Sequence, residues 1–158
     1  MQLNEIVKEN IDFLKKELPK LTSLLPKLLI YFPDRKITSI LANLPEKAEM
    51  RHLLMEKIGE AYAQQFRKVF DYVSFTSECW KHINNTKKEA IISAISNFTQ
   101  DEKRVIIIDV SRNKKNKFVI ENIEIIEEGE LCIIDAFING YNKKLTGIQL
   151  KEVVDEGK

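Results

Sequence analysis

Glycine and proline are scarce in this sequence, five and four among 158 residues, and cysteine, histidine and tryptophan are scarcer still at two, two and one. So few glycines leave no loop of the kind that cradles a phosphate. Cys79 and Cys132 form no closely spaced pair and read as small buried apolar residues of a reduced compartment, with a bond between them left open. Cys79 and His82 have a C-x-x-H spacing, but a structural zinc site wants four ligands, and Cys132 and His52 fall on distant elements. No metal and no cofactor is therefore expected. The 25 basic residues almost cancel the 24 acidic ones, which removes a general electrostatic pull toward nucleic acid. The longest apolar run, Leu28 to Phe32, is far below the roughly 20 residues of a membrane span. The first residues alternate charged with apolar and lack the basic segment and apolar run of a secretory signal. The expectation is a soluble, cytoplasmic protein.

What the chain does have is pattern. Leu3, Ile6, Val7, Ile11, Leu14 and Leu18 recur at spacings of three and four, predicting an amphipathic helix that ends before Pro19. Pro19, Pro26 and Pro33 each interrupt a helix, which predicts short helices over 21–25 and 26–32 and a turn at Pro33-Asp34. Another short helix is expected over 37–44. From Glu46 to Lys68, the stripe Met50, Leu53, Leu54, Ile58, Ala61, Tyr62 and Phe66 marks a long helix. Gly59 falls in its middle, where it costs about 1 kcal/mol against alanine, and the usual reason is close packing of another backbone.

Beyond residue 68 the β-branched and aromatic runs predict strands over 69–80, 89–98, 105–110, 118–126 and 131–138. The connections are short, among them 111–117 and Glu127-Glu128-Gly129, so the strands are expected to pair as an antiparallel meander with the helices on one face. Thr146 with Gln149 is a capping-box pattern that predicts a short helix to about residue 154. The fold class is α+β, with N-terminal helices packed on a mainly antiparallel meander of about five strands. One domain is expected over 1–158, mainly helical over 1–68, sheet over 69–138, then a short helix and tail over 139–158.

The segment Ser77-Glu78-Cys79-Trp80, followed by Lys81 and His82, is the most unusual in composition. Glu78, His82 and Asp135 are the candidate catalytic residues, because a carboxylate beside a second titratable group can act as acid or base. Trp80 and Asp109 are candidate ligand-binding residues. Glu78 shares a predicted face with Ser74 and Thr76 and would meet Asp109 or Asp135 if those project to the same side; the competing reading leaves both aspartates on a solvated face. A Cys79 nucleophile with His82 as base is disfavoured, since an odd spacing sends the two to opposite faces of a strand. Arg112, Lys114, Lys115 and Lys117 gather positive charge on a hairpin loop that can contact phosphates. No aromatic residues are interleaved with them for base stacking, so a nucleic-acid partner is possible but not favoured.

The helix carrying Ile58-Gly59, the strand after it, Ser77-Glu78-Cys79-Trp80 and the later Lys88-Glu89 together resemble an uncharacterised family of small prokaryotic and phage proteins. That family is marked by Ser-Glu-Ala-Trp after a hydrophobic strand and by a Lys-Glu further on. The likeness spans residues 56–110 and departs at Cys79, where the family has alanine. It implies a place to look and no established activity. The first functional expectation is a non-enzymatic binding or assembly module, a homo-oligomer or a protein's partner, acting through a sheet edge or the apolar N-terminal helices. An enzyme with a site around Glu78, Trp80 and His82 is the second, and a nucleic-acid accessory protein using the basic loop 112–117 the third.

Overall fold

A computed structural model describes residues 1–127 and 132–156, with side chains as far as 152. The expected Glu128-Gly129 turn and the Leu131 start of the last expected strand lie outside the described residues. The described chain forms helices α1 (Leu3–Glu17), α2 (Ala48–Phe66) and α3 (Cys132–Glu156), with strands β1 (Lys27–Tyr31), β2 (Lys36–Ile40), β3 (Tyr72–Ile83), β4 (Thr86–Asn97), β5 (Lys103–Arg112) and β6 (Phe118–Ile126). All six strands form one antiparallel sheet in the order β2-β1-β3-β4-β5-β6. The α+β class and the meander from β3 to β6 stand as expected.

Three segments take the opposite state from the one predicted. Residues 27–31 and 36–40 are strands, not short helices, and 132–138 opens a helix instead of forming a strand. Burial on every side accounts for 27–31 and 132–138, whereas 36–40 is an edge strand whose residues alternate between exposed and half-buried. Leu28, Leu29, Ile30, Tyr31 and Phe32 are all buried, because β1 sits inside the sheet with helices over both faces. Ile133, Ile134, Ala136, Phe137 and Ile138 are buried in turn because the first turns of α3 are wedged between sheet and α2. A run that is apolar at nearly every position carries little period to read.

The helices also cover both faces of the sheet rather than one. Alternation along the strands sends Leu29, Tyr31, Ile91 and Ile106 to the face that packs on Leu3, Ile6, Val7 and Leu14 of α1. Leu28, Ile30, Val73, Phe75 and Val105 point the other way, onto α2 and α3. Within α2 the buried positions are Met55, Gly59 and Ala63, while Met50 and Leu53 are exposed, so the packed stripe is rotated from the predicted one.

The cause of that rotation is a close helix crossing. A Cβ on Gly59 would lie 2.8 Å from the Tyr141 nitrogen and closer still to the Phe137 carbonyl oxygen. One on Gly140 would lie 2.8 Å from the Glu56 carbonyl carbon. Each helix therefore uses its glycine to admit the other's backbone, and Gly140 lies well inside α3. The helices run in the same direction, since Glu56 meets Gly140 and Arg67 reaches Glu152 at 3.8 Å. Beside the crossing, the Tyr141 hydroxyl donates to the Lys68 carbonyl at 2.5 Å, and burial pushes its pKa up to about 12.

One inequality of length shapes the surface. β3 and β4 have 12 residues each, but β1 has only 5 and pairs with Tyr72–Thr76 alone. From Ser77 onward the β3–β4 hairpin projects past β1. Its tip is a two-residue turn at Asn84-Asn85 with φ of 50° and 65°, a left-handed pair that asparagine tolerates better than most residues.

Candidate functional site

The projecting hairpin holds most of the residues that the composition singles out. Glu78, Trp80 and His82 alternate onto the α1 face, and Cys79 and Lys81 onto the opposite one. The register across β4 and β5 puts Asp109 beside Ala90, which itself faces Cys79, so Asp109 shares the side of Cys79 and Lys81. Asp135, on the first turn of α3, lies on that side as well. Glu78 is thus brought together with neither aspartate; the strand parity that unites Glu78 with His82 separates it from both. Asp109 instead receives the Lys81 ammonium at 3.3 Å, and Asp135 that of Lys103 at 3.1 Å. The two cysteines are free, with Cys132 exposed. Burial, then the Asp109 carboxylate, raise the Cys79 thiol above its ordinary pKa, which opposes thiolate chemistry at neutral pH.

On the α1 face the polar residues are tied to a crossing segment. After a 3-10 turn at Leu18–Lys20, residues 21–26 pass back over the sheet to enter β1. Three bonds hold them. Phe118 N–H donates to the Leu21 carbonyl at 3.1 Å, an Arg112 Nη1 donates to the Thr22 carbonyl at 2.6 Å, and Leu24 N–H donates to Glu78 Oε1 at 2.9 Å. Arg112 also binds Glu89 through Nε and Nη2, both at 2.9 Å, gives a further bond to the Asn116 carbonyl at 2.9 Å, and stacks 3.9 Å above the Phe118 ring. Sequence reasoning missed Glu89 as its partner. The signal was there in parity, because Glu89 opposes Trp80 and so shares its face.

No family model, curated protein or solved structure matches the chain. The stretches 77–80 and 88–89 nonetheless lie side by side, with Trp80 opposite Glu89 and Lys81 opposite Lys88.

Arg112 therefore has its donors engaged within the fold, and what it offers a phosphate is small. Around it, Lys114 and Lys115 are exposed on a loop shaped by Asn113, whose Oδ1 accepts the N–H groups of Lys115 and Lys117. Replacing Arg112 with alanine removes the two bonds to Glu89, the tie to Thr22 and the stacking on Phe118. At this half-exposed site, about 1–2 kcal/mol of stability is expected to go. The hydrogen-bonded Arg112 holds the Glu89 carboxyl below its ordinary pKa. A depressed carboxyl contributes stability that is complete above the unfolded-state pKa of about 4.3 and is lost as pH falls through the folded value. The gap between wild type and Arg112→Ala, measured by urea unfolding, should stay level above about pH 5.5 and narrow below pH 4.

One concavity lies among these residues and a wider one on the far side of the sheet. A recess of about 190 Å³ is lined by Glu78, Cys79, Trp80, Glu89, Ala90 and Phe118, smaller than the roughly 300 Å³ at which small-molecule sites begin. A wider groove of about 670 Å³ opens between α2 and α3, where Arg67, Lys143, Lys144 and Lys151 are mixed with Glu60 and Glu152. Among the described residues no three His, Cys, Asp or Glu side chains gather as a metal site, and no helix is long and apolar enough to cross a membrane.

The hairpin's outer edge is the remaining feature. Leu41 N–H bonds the Pro26 carbonyl and Phe32 N–H bonds that of Arg35, so the even-numbered β1 residues turn their backbone groups to β2. Lys27, Leu29 and Tyr31 then face β3, at Thr76, Ser74 and Tyr72. Continued along β3, the alternation turns the N–H and C=O of Glu78, Trp80 and His82 outward, past the end of β1. The Asn97 N–H to Glu102 carbonyl bond fixes the same parity from the other side of the sheet. Among the described residues no backbone bond closes this edge, and on it Trp80 is 59% exposed.

Proposed function

We propose that the chain is a non-enzymatic binding or assembly module that works by adding a strand to the open edge of β3. The observation that carries this reading is the coincidence of unpaired backbone groups at Glu78, Trp80 and His82 with an exposed indole on the same strand. Unpaired edges are ordinarily blunted by charge, proline or cover, and a large aromatic on such an edge is a contact residue by preference. The acidic and basic groups nearby are occupied in holding residues 21–26, which favours a recognition surface over acid–base chemistry. The apolar excess at Leu28–Phe32 is accounted for by burial inside the sheet, so the edge is the favoured surface over the N-terminal helices.

The test uses the direction of the His82 N–H. Proline at an outward-facing edge position removes no ladder bond, so His82→Pro is expected to fold with an unchanged melting temperature. A displayed library of random extended heptapeptides should enrich on wild type and not on His82→Pro. Equal enrichment on both proteins, or none on either, would sink the reading.

A further inference from the structure

We infer that the strand completing the β3 edge belongs to an acidic peptide segment, with two neighbouring carboxylates beside the hairpin tip and an apolar side chain against Trp80. This names the partner of the edge and rests on the reading above. The tip of the β3–β4 hairpin gathers positive charge with no acid to answer it. Lys81 stands directly opposite Lys88 on the face away from α1, a like-charge pair that opposes strand pairing. One place further, on the α1 face, His82 stands opposite Lys87, again without an acid. The carboxylates nearby are already engaged. Asp109 takes the Lys81 ammonium at 3.3 Å, Glu89 holds the Arg112 guanidinium at 2.9 Å, and Glu78 Oε1 accepts the Leu24 N–H at 2.9 Å. Lys87 and Lys88 are exposed and, among the described residues, have no acidic partner. Lys114 and Lys115 extend the same field, because the β3–β4 and β5–β6 connections turn at the same end of the antiparallel sheet.

The lane beside β3 fixes which part of a partner meets which charge. Lys27 lies against Thr76, and Pro26 precedes it in the same lane with its carbonyl held by Leu41. An added strand is therefore confined to the stretch from Cys79 to Ile83 and runs out past the Asn84-Asn85 turn. The outward backbone groups of Trp80 and His82 supply its ladder bonds. A partner residue opposite His82 projects to the α1 face and one opposite Lys81 to the other. Two adjacent carboxylates there serve both faces of the tip at once. They lie two strand spacings, about 10 Å, from Lys87 and Lys88, a span that a glutamate and a lysine side chain cover together. The residue opposite Trp80 meets the exposed indole, which favours an apolar side chain. A basic strand would add to the unanswered charge. Single-stranded nucleic acid would answer the charge but has no amide ladder to offer the edge.

The displayed heptapeptide library is the probe. Peptides enriched on wild type are expected to carry two adjacent acidic residues. By titration calorimetry a selected peptide should bind about fivefold or more weakly once both acids become glutamine. It should weaken again as sodium chloride rises from about 50 to about 500 mM, because exposed charges are screened. The double variant Lys87→Glu/Lys88→Glu removes the field and leaves the edge. It sets a glutamate opposite Lys81 in place of a lysine, so it should melt no lower than wild type, lose the acidic peptides and enrich basic ones instead. Peptides that depend on the His82 N–H but show no acidic preference, and bind the double variant equally, would overturn the acidic partner and leave the edge reading standing. Acidic peptides held as well by His82→Pro as by wild type would overturn both, since charge alone would then hold them. No enrichment on any of the proteins would sink the edge reading, and this inference with it. An oligothymidylate that binds more tightly than the selected peptides, and equally to His82→Pro, would put single-stranded nucleic acid in the peptide's place.

Discussion

Gly59→Ala should destabilise the protein by about 3 kcal/mol or more, against the roughly 1 kcal/mol that alanine ordinarily gains over glycine inside a helix. The added methyl would meet backbone, not a side chain that can rotate away: the Phe137 carbonyl oxygen and the Tyr141 nitrogen. Relief requires moving α2 from α3, and α3 is itself fixed to the sheet by Phe137, Ile138 and Tyr141, all fully buried. Gly140→Ala should behave alike, since its methyl would strike the Glu56 backbone. Gly147→Ala supplies the control. It lies in α3 with nothing within 4 Å of its added methyl, so it should stabilise by up to about 1 kcal/mol. Urea unfolding of the three variants reads the sign directly, and a Gly59→Ala protein as stable as Gly147→Ala would show that the helices do not cross here.

Phe70→Ala is expected to cost about 3–5 kcal/mol, the range for emptying a buried aromatic site. Phe70 is 1% exposed, and its ring lies 5.0 Å from that of Tyr141, 5.1 Å from Phe98 and 6.2 Å from Phe137. It joins the entry of β3 to the middle of α3, so the cavity would be walled by two elements that cannot both collapse into it. In a chain of this size the melting temperature should fall by about 6–20 °C. Phe70→Leu should recover more than half of the loss, because it restores most of the volume without the ring contacts. Equal loss in both variants would mean that the aromatic geometry, and not filled space, is what matters at this position.

The parts of the fold visible in the sequence were those with one wet face. α1 was legible because Glu5, Lys8, Lys15 and Lys16 stand outside its apolar stripe, and β3 and β6 because polar residues alternate along them. β1 and the start of α3 were not, because each is apolar and buried at nearly every position and burial alone decides neither helix nor strand. Gly59 was readable as a close approach, but its partner was not: the other backbone belongs to Phe137 and Tyr141, about eighty positions on, where the sequence reads as the end of a strand. The candidate site divides the same way. Strand parity separated Cys79 from Glu78 and from His82, while the strand itself runs on through His82 to Ile83, past the residue 80 at which it was expected to end. It was silent on Asp109 and Asp135, whose sides depend on register across two more strands and on a helix. Arg112 was visible as a charge, while its role in holding residues 21–26 depends on a crossing that no local pattern records.

The exposed position of Trp80 has an optical consequence. The chain has a single tryptophan, and it stands on the projecting hairpin outside both apolar clusters. Its indole is in water before unfolding as well as after, so its emission should barely change colour when the core melts. Tyrosine absorbance or circular dichroism must follow folding instead. The same isolation makes the indole a clean reporter for one event, the covering of the β3 edge, where a blue shift would signal contact without any background from the interior.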